Sequence, residues 1–277
     1  MDEKITPCLD DEQFRRLLDF LGLSWQGYRK VRRGVKKRVV RHMQALGCRN
    51  LQAYLACLQG SVEAREENER AMAVSISRFF RDRKLWEILE KEVLPELIKA
   101  VRGPLSVWSC GCAGGEEVYS LKILWHRLGL SVGGLPELRV TATDLQPHNL
   151  ERAREALYLP SSLKEVPEGL RRTCFQEVHG GRAFRLQPWL MDGITWLECD
   201  VFSGPPGSGF HIILLRNNLL TYYRPDRAES VLRRILGALS PGGFFVIGSH
   251  EKLPFSLPDF TPHPVAPFVF RKSRAPL

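Results

Sequence analysis

The sequence predicts an α/β protein, a doubly wound Rossmann-like sheet behind a small all-α N-terminal domain, and three observations lead there. Residues 105–109 are short, apolar and β-branched or aromatic at alternate places, so they read as a buried strand. That strand breaks into Gly111, Gly114 and Gly115, and Glu116-Glu117 then open a helix with Tyr119, Leu121, Ile123, Leu124 and Leu128 on one face. Four further β-type runs follow, at 138–143, 194–198, 210–215 and 244–249, with helical spacing between several of them, whereas nothing before residue 75 reads as strand.

Taken in order, Phe14, Leu17, Leu18 and Leu21 make a first helix ending near Gly22. A second is expected from Tyr28 to about Leu46, with Val31, Val35, Val39, Met43 and Leu46 along its apolar stripe. Leu51, Tyr54, Leu55 and Leu58 give a third that ends at Gly60, and a charged stretch from Glu63 to Arg70 starts a fourth. Residues 1–73 are therefore read as a helical domain and 74–104 as a linker with a helix from about 84 to 100. Residues 105–277 form the sheet domain, with a short β-hairpin subdomain at 157–191 carried by 183–186 behind Gly180-Gly181. Pro241-Gly242-Gly243 should lead into the fifth strand, and an apolar stretch at 267–270 closes the chain's pattern.

Charge and cysteine content narrow the function. The net charge is +9, and residues 26–50 hold nine Lys/Arg and no Asp or Glu, so the excess is local. Arg33, Lys37 and Arg41 lie on one helical face with Arg29 beside them, where like charges weaken a helix and Gly34 weakens it further. A cost without structural return points to an acidic partner, and a protein helix suits it better than nucleic acid, because few aromatics interleave with the cations. Seven irregularly spaced cysteines suit reduced thiols, and Cys110 and Cys112 lack the second pair a zinc site needs. No apolar run could cross a bilayer, and Met1-Asp-Glu-Lys has no signal-peptide character, so a cytoplasmic protein is expected.

The chemistry centres on the glycine turn. Its spacing is neither Gly-x-Gly-x-x-Gly nor a P-loop, and an acidic pair at the helix start would repel a pyrophosphate. A cationic or neutral ligand fits better, and S-adenosylmethionine, a sulfonium with an α-amino group, is one. By itself the strand–turn–helix is equally compatible with an ordinary capped connection. Asp144, at the tip of the second strand, can accept two ribose hydroxyls, and Arg216-Asn217 emerge at the carboxyl end of the fourth. Arg81 follows Phe79-Phe80 and needs an acceptor if buried, while the two phenylalanines read as packing residues. No Ser/His or Cys/His constellation is apparent.

Five separated stretches resemble the CheR-type chemoreceptor methyltransferases: Ser77-Arg-Phe-Phe-Arg81, Trp108 to Ser120, Thr143-Asp144, Arg216-Asn217 with Tyr222, and Pro241-Gly-Gly243 before Gly248-Ser-His-Glu251. They occur in family order over residues 12–272. The resemblance implies a class I S-adenosylmethionine-dependent methyltransferase that esterifies glutamate side chains of a chemoreceptor-like protein. It places Ser77, Arg81, Gly111, Gly114, Glu116, Asp144, Asp200, Val201, Arg216 and Asn217 around the cofactor, with Arg81 and Tyr222 beside the transferable methyl and no metal. Gly114 stands where the family has threonine, Val118 where it has proline, and the 218–222 loop is one residue longer. Another methyl acceptor, or a cofactor-sensing scaffold without catalysis, are the alternative readings.

Overall fold

The computed structural model describes residues 9–274, so the expectation about Met1-Asp-Glu-Lys lies outside the described residues. The chain forms two compact units. One takes in residues up to Val74 together with Leu219–Ala228, and the other Ser75–Asn218 and Glu229 onward. The sequence pattern places 219–228 in the sheet domain, whereas they group with the N-terminal helices.

The first unit contains α1 (Asp11–Phe20), α2 (Trp25–Tyr28), α3 (Arg32–Ala45), α4 (Leu51–Gly60) and α5 (Val62–Met72). Asp10 and Gln13 close a capping box on α1, while Asn50 and Ser61 cap α4 and α5 through their side-chain oxygens. Phe14, Leu17, Leu18, Val39, Met43, Tyr54 and Leu58 are sealed in its core. The helix expected from Tyr28 to Leu46 is broken at 29–31, where the Arg32 guanidinium donates to the Arg29 carbonyl. The break lets Tyr28 turn inward, its ring edge-on to Phe14 and its hydroxyl donating to the Met72 carbonyl at 3.2 Å. Leu46, expected on the apolar stripe, is 37% exposed. Gly27 has no room for a side chain, because a Cβ would run into the Thr221 carbonyl, so the backbones of α2 and residues 219–222 touch.

A polar chain crosses this core. The Tyr54 hydroxyl lies 2.7 Å from His42 Nδ1 and donates to Asn68 Oδ1 at 3.0 Å. Burial pushes His42 below its ordinary pKa, against the opposing pull of Glu67. A depressed histidine favours folding above the unfolded-state value near ~6.5 and loses that contribution as pH falls. The first unit should therefore weaken between pH 7.5 and 5.5, by at most about 1.4 kcal/mol per pH unit, the limit for one proton. His42→Gln should flatten that slope in urea titrations at the two pH values; an unchanged slope would assign it to other groups.

The second unit runs α6 (Arg83–Ile88), a π turn at Leu89–Val93, α7 (Leu94–Ala100), β1 (Leu105–Cys110), α8 (Glu116–Ser131), β2 (Leu138–Asp144) and α9 (Pro147–Glu155). The π turn replaces the continuous helix expected from 84 to 100. There the Leu94 N–H reaches back five residues to the Leu89 carbonyl, directly before Pro95, which has no N–H to give. Next come β3 (Leu157–Tyr158), α10 (Glu168–Cys174), β4 (Phe175–Val178) and β5 (Ala183–Leu186), then β6 (Ile194–Glu198) and β7 (Phe210–Leu215). After α11 (Leu219–Tyr222), which belongs to the first unit, and α12 (Pro225–Gly237) come β8 (Leu239–Ile247), β9 (Phe260–His263) and β10 (Ala266–Lys272).

The main sheet has seven strands in the order β6-β2-β1-β7-β8-β10-β9, parallel from β6 to β8, with β10 antiparallel to both neighbours. Two details differ from expectation. Pro241-Gly-Gly243 lies inside β8, at a shift in its pairing with β7, where a Cβ on Gly243 would stand 3.0 Å from the His211 carbonyl and Gly242 takes φ +75°. The hairpin subdomain is a three-stranded sheet, β3-β5-β4, because Leu157–Tyr158 adds a strand to β5. Strand order reverses between β1 and β7, which pair Cys110 with Leu215, and a crevice at that point is where such sheets take ligands.

Candidate functional site

The turn after β1 is built around Asp144. Gly111 takes φ +78°, and both its N–H and that of Cys112 donate to the Thr143 carbonyl at 2.8 and 2.9 Å. The Ala113 N–H donates to Asp144 Oδ2 at 2.8 Å, while Gln146 N–H and Asn149 Nδ2 donate to Oδ1, each at 2.9 Å. Asp144 thus fastens the glycine turn to the end of β2, and its Oδ2 keeps a lone pair for a further donor. Cys199 N–H donates to the Asp144 backbone carbonyl, bringing in the 199–203 loop, where Asp200 Oδ1 accepts from Phe202 N–H at 3.0 Å and Val201 opens a short 3₁₀ turn.

Glu116, the first residue of α8, is wholly buried. Burial pushes its carboxyl above the usual carboxylate range, with Arg152 and the neighbouring Ser77 pulling the other way. Arg152 Nη2 donates to Oε1, whereas Oε2 finds no hydrogen-bond partner. Gly114 lies under the Arg152 guanidinium, and its carbonyl accepts from the Tyr158 hydroxyl at 2.7 Å. Cys110 and Cys112, in the same turn, are buried with their thiols pushed up by loss of solvent.

The Ser77–Asp82 stretch is tied to α8 and to the residues that follow β7. Phe79 packs edge-on against Tyr158 and Phe175, and the Phe80 N–H donates to Ser120 Oγ at 2.9 Å, as expected for packing residues. Phe80 and Asp82 both adopt left-handed backbone, with φ +51° and +65°, which sets Arg81 on a constrained tip. The Arg81 guanidinium donates to the Ile76 carbonyl at 3.1 Å and to Asn217 Oδ1 at 3.0 Å. Asn217, itself at φ +53°, donates its backbone N–H to Glu251 Oε2.

Beneath them, Arg216 is 3% exposed at its side chain and donates to Asp82, Glu117 and the Arg81 carbonyl at 2.8, 2.6 and 2.9 Å. Burial raises the Asp82 carboxyl, but the Arg216 charge and hydrogen bond overcome it and the group falls below its ordinary value. The two Nη atoms of Arg216 hold the loop, while its buried Nε has no hydrogen-bond partner among the described residues.

Among the predicted residues, Ser77, Arg81, Gly111, Gly114, Glu116, Asp144, Asp200, Val201, Arg216 and Asn217 all belong to the second unit. Tyr222 belongs to the first, its ring 5.0 Å from that of Tyr28. Arg29, Arg33, Lys37 and Arg41 are exposed on the first unit and make no ion pair among the described residues, whereas Arg32 and Lys36 pair with Asp11 and Arg38 binds the Ala71 and Ala73 carbonyls. Asn149, Arg152 and Asp82 went unrecognised in the sequence, where a lone residue on a helix face or at a helix start carries no local signal.

The arrangement fits S-adenosylmethionine. A buried carboxylate oxygen without a partner suits an ammonium, the glycine turn admits close approach, and Asp144 retains acceptor capacity. Among the described residues no group of three His, Cys, Asp or Glu could hold a metal, and no helix is long and apolar enough to cross a membrane.

Comparison with known proteins gives the same direction. The family model "CheR methyltransferase, SAM binding domain" matches residues 75–265. A chemotaxis protein methyltransferase of Listeria innocua is 34% identical over 182 residues, 66% of this chain and 67% of that protein. Chemotaxis protein methyltransferase 1 of Pseudomonas aeruginosa is 30% identical over 194 residues, 68% of this chain and 70% of the relative. An uncharacterised 104.1 kDa protein of Rhodobacter capsulatus is 29% identical over 254 residues, which are 90% of this chain and 26% of that longer protein.

Proposed function

The chain belongs to the CheR methyltransferase family and is an S-adenosylmethionine-dependent methyltransferase, and from that premise we propose that it esterifies glutamate side chains on the acidic signalling helices of a chemoreceptor-like protein. The observation that carries this reading is Arg81, a cation fixed by Asn217 and the Ile76 carbonyl that has no ion-pair partner among the described residues. The reading implies a cytoplasmic enzyme.

Bound S-adenosylmethionine supplies a methyl group made electrophilic by its sulfonium. The chain's task is to bring a carboxylate oxygen in line with it. A glutamate has a reference pKa near ~4.3 and is ionised at neutral pH, so no general base is required. The unused N–H groups of Arg81 take one carboxylate oxygen and leave the other to attack. Each hydrogen bond Arg81 makes to Asn217 and Ile76 reduces the orientational freedom lost on binding the acceptor. Arg29, Arg33, Lys37 and Arg41 supply the surface for the acidic helices, an attraction that weakens with salt.

The test is transfer of labelled methyl from S-adenosylmethionine to receptor-bearing membranes, followed by mild alkali. Label released as methanol is the expected result, since carboxyl esters hydrolyse. Alkali-stable label on protein or nucleic acid would name another acceptor. Cofactor binding without transfer to any acceptor would make the protein a sensor.

A further inference from the structure

The ion pair between Arg152 and Glu116 sits at the glycine turn, and three observations at it converge. Glu116 is fully buried, with Oε1 taken by Arg152 and Oε2 unpartnered. A buried carboxylate oxygen left empty is costly, so it marks a place for a donor. The Arg152 side chain remains 43% exposed, and beyond Glu116 its guanidinium meets no acceptor among the described residues. Finally, Gly114 is what admits the guanidinium, since any Cβ there would stand 2.5 Å from its Nε, Cζ and Nη2 atoms. The backbone on both sides is fixed, by Tyr158 on the Gly114 carbonyl and by Tyr119 donating to the Ala153 carbonyl at 2.7 Å.

Charge decides what such a pair accepts. Glu116 and Arg152 sum to zero, so an ammonium alone would leave the half-buried pair with one excess positive charge. A group carrying both an ammonium and a carboxylate leaves it neutral. We propose that Arg152 and Glu116 together read the zwitterionic amino-acid end of S-adenosylmethionine, Glu116 Oε2 accepting from the ammonium and the free N–H groups of Arg152 donating to the carboxylate. The assignment rests on the cofactor reading above and makes Arg152 a specificity-determining residue of the binding site, with Gly114 as its steric partner.

Calorimetric titration tests it with S-adenosylmethionine and its decarboxylated analogue, which keeps the ammonium and lacks the carboxylate. The wild-type protein should prefer the intact cofactor by about tenfold or more, the range for a charge-assisted contact. Arg152→Met should bring that ratio close to one by weakening only the intact cofactor. Gly114→Ala, which displaces the guanidinium without removing it, should lower the ratio in the same direction and serves if Arg152→Met fails to fold. A ratio unchanged in both variants overturns the assignment. So does tighter binding of the intact cofactor by Arg152→Met, which would make Arg152 a competing cation. Absence of S-adenosylmethionine binding by the wild-type protein would overturn the cofactor reading itself, and this assignment with it.

Discussion

Replacing Arg81 by alanine lowers kcat/KM for methyl transfer by about a hundredfold to a thousandfold and leaves the dissociation constant of S-adenosylmethionine within about threefold. The magnitude is that of removing one preorganised charged donor. The separation of the two effects follows from where Arg81 is tied. Its anchors are Asn217 and the Ile76 carbonyl, whereas the residues proposed for the cofactor, Asp144 and Glu116, take their hydrogen bonds from Ala113, Gln146, Asn149 and Arg152. Initial rates with a receptor fragment, alongside calorimetric titration of the cofactor, measure both numbers. Unchanged turnover would remove Arg81 from the reaction, and a parallel loss of cofactor affinity would move it to the cofactor site. Arg81→Lys should recover only part of the rate, since an ammonium cannot reproduce the planar fork that holds Asn217 and a carboxylate together.

The second large effect is on stability. Arg216→Met should cost about 3–5 kcal/mol, because it strands Asp82 and Glu117, whose side chains are 22% and 12% exposed, without their counter-ion. The penalty comes from leaving two carboxylates partly buried, more than from the pair energy itself. Asp82 holds its left-handed backbone next to Arg81, and the Arg81 carbonyl also accepts from Arg216, so the loop should loosen with it. Scanning calorimetry should show the melting of the second unit falling by roughly 10 °C, at 2–4 °C per kcal/mol for a body of this size. A fall under 2 °C would mean that water replaces the guanidinium. Glu117→Gln should cost less, since its amide oxygen can still accept from Arg216 while its NH2 turns to Ser109, whose hydroxyl now donates to Glu117 at 2.7 Å and can accept instead.

The parts legible in the sequence were those whose physics is local. Strand β1, its glycine turn and the start of α8 could be read directly, because a buried strand, left-handed turn residues and an amphipathic helix each leave a short-range pattern. Asp144 was legible as a strand-end carboxylate for the same reason. The break at 29–31 was not, since Tyr28 and Val31 both fit one helical stripe and only the inward turn of Tyr28 separates the two helices. The strand Leu157–Tyr158 escaped notice because two residues carry no periodicity and its partner β5 lies far along the chain. Arg152 was invisible on different grounds. On α9 it is one cation among several, and only the fold sets it over Gly114, thirty-eight positions earlier.

The ten residues from Leu219 to Ala228 are numbered within the span matched by the cofactor-domain family model, yet they fold with the N-terminal helices. Ser24 N–H donates to the Tyr222 carbonyl at 2.8 Å, Leu23 forms a bridge with Tyr223, and the Arg224 N–H donates to the Gly22 carbonyl at 3.0 Å. The helical unit is therefore not a cassette. A chimera that transplanted residues up to 74 alone would leave behind in the donor the segment against which residues 22–27 pack. Drift at Gly27 would likewise be constrained by the backbone at Thr221 and not by its own neighbours in the chain. Modularity here is a property of the folded object, and a boundary drawn once along the sequence cuts through one of its modules.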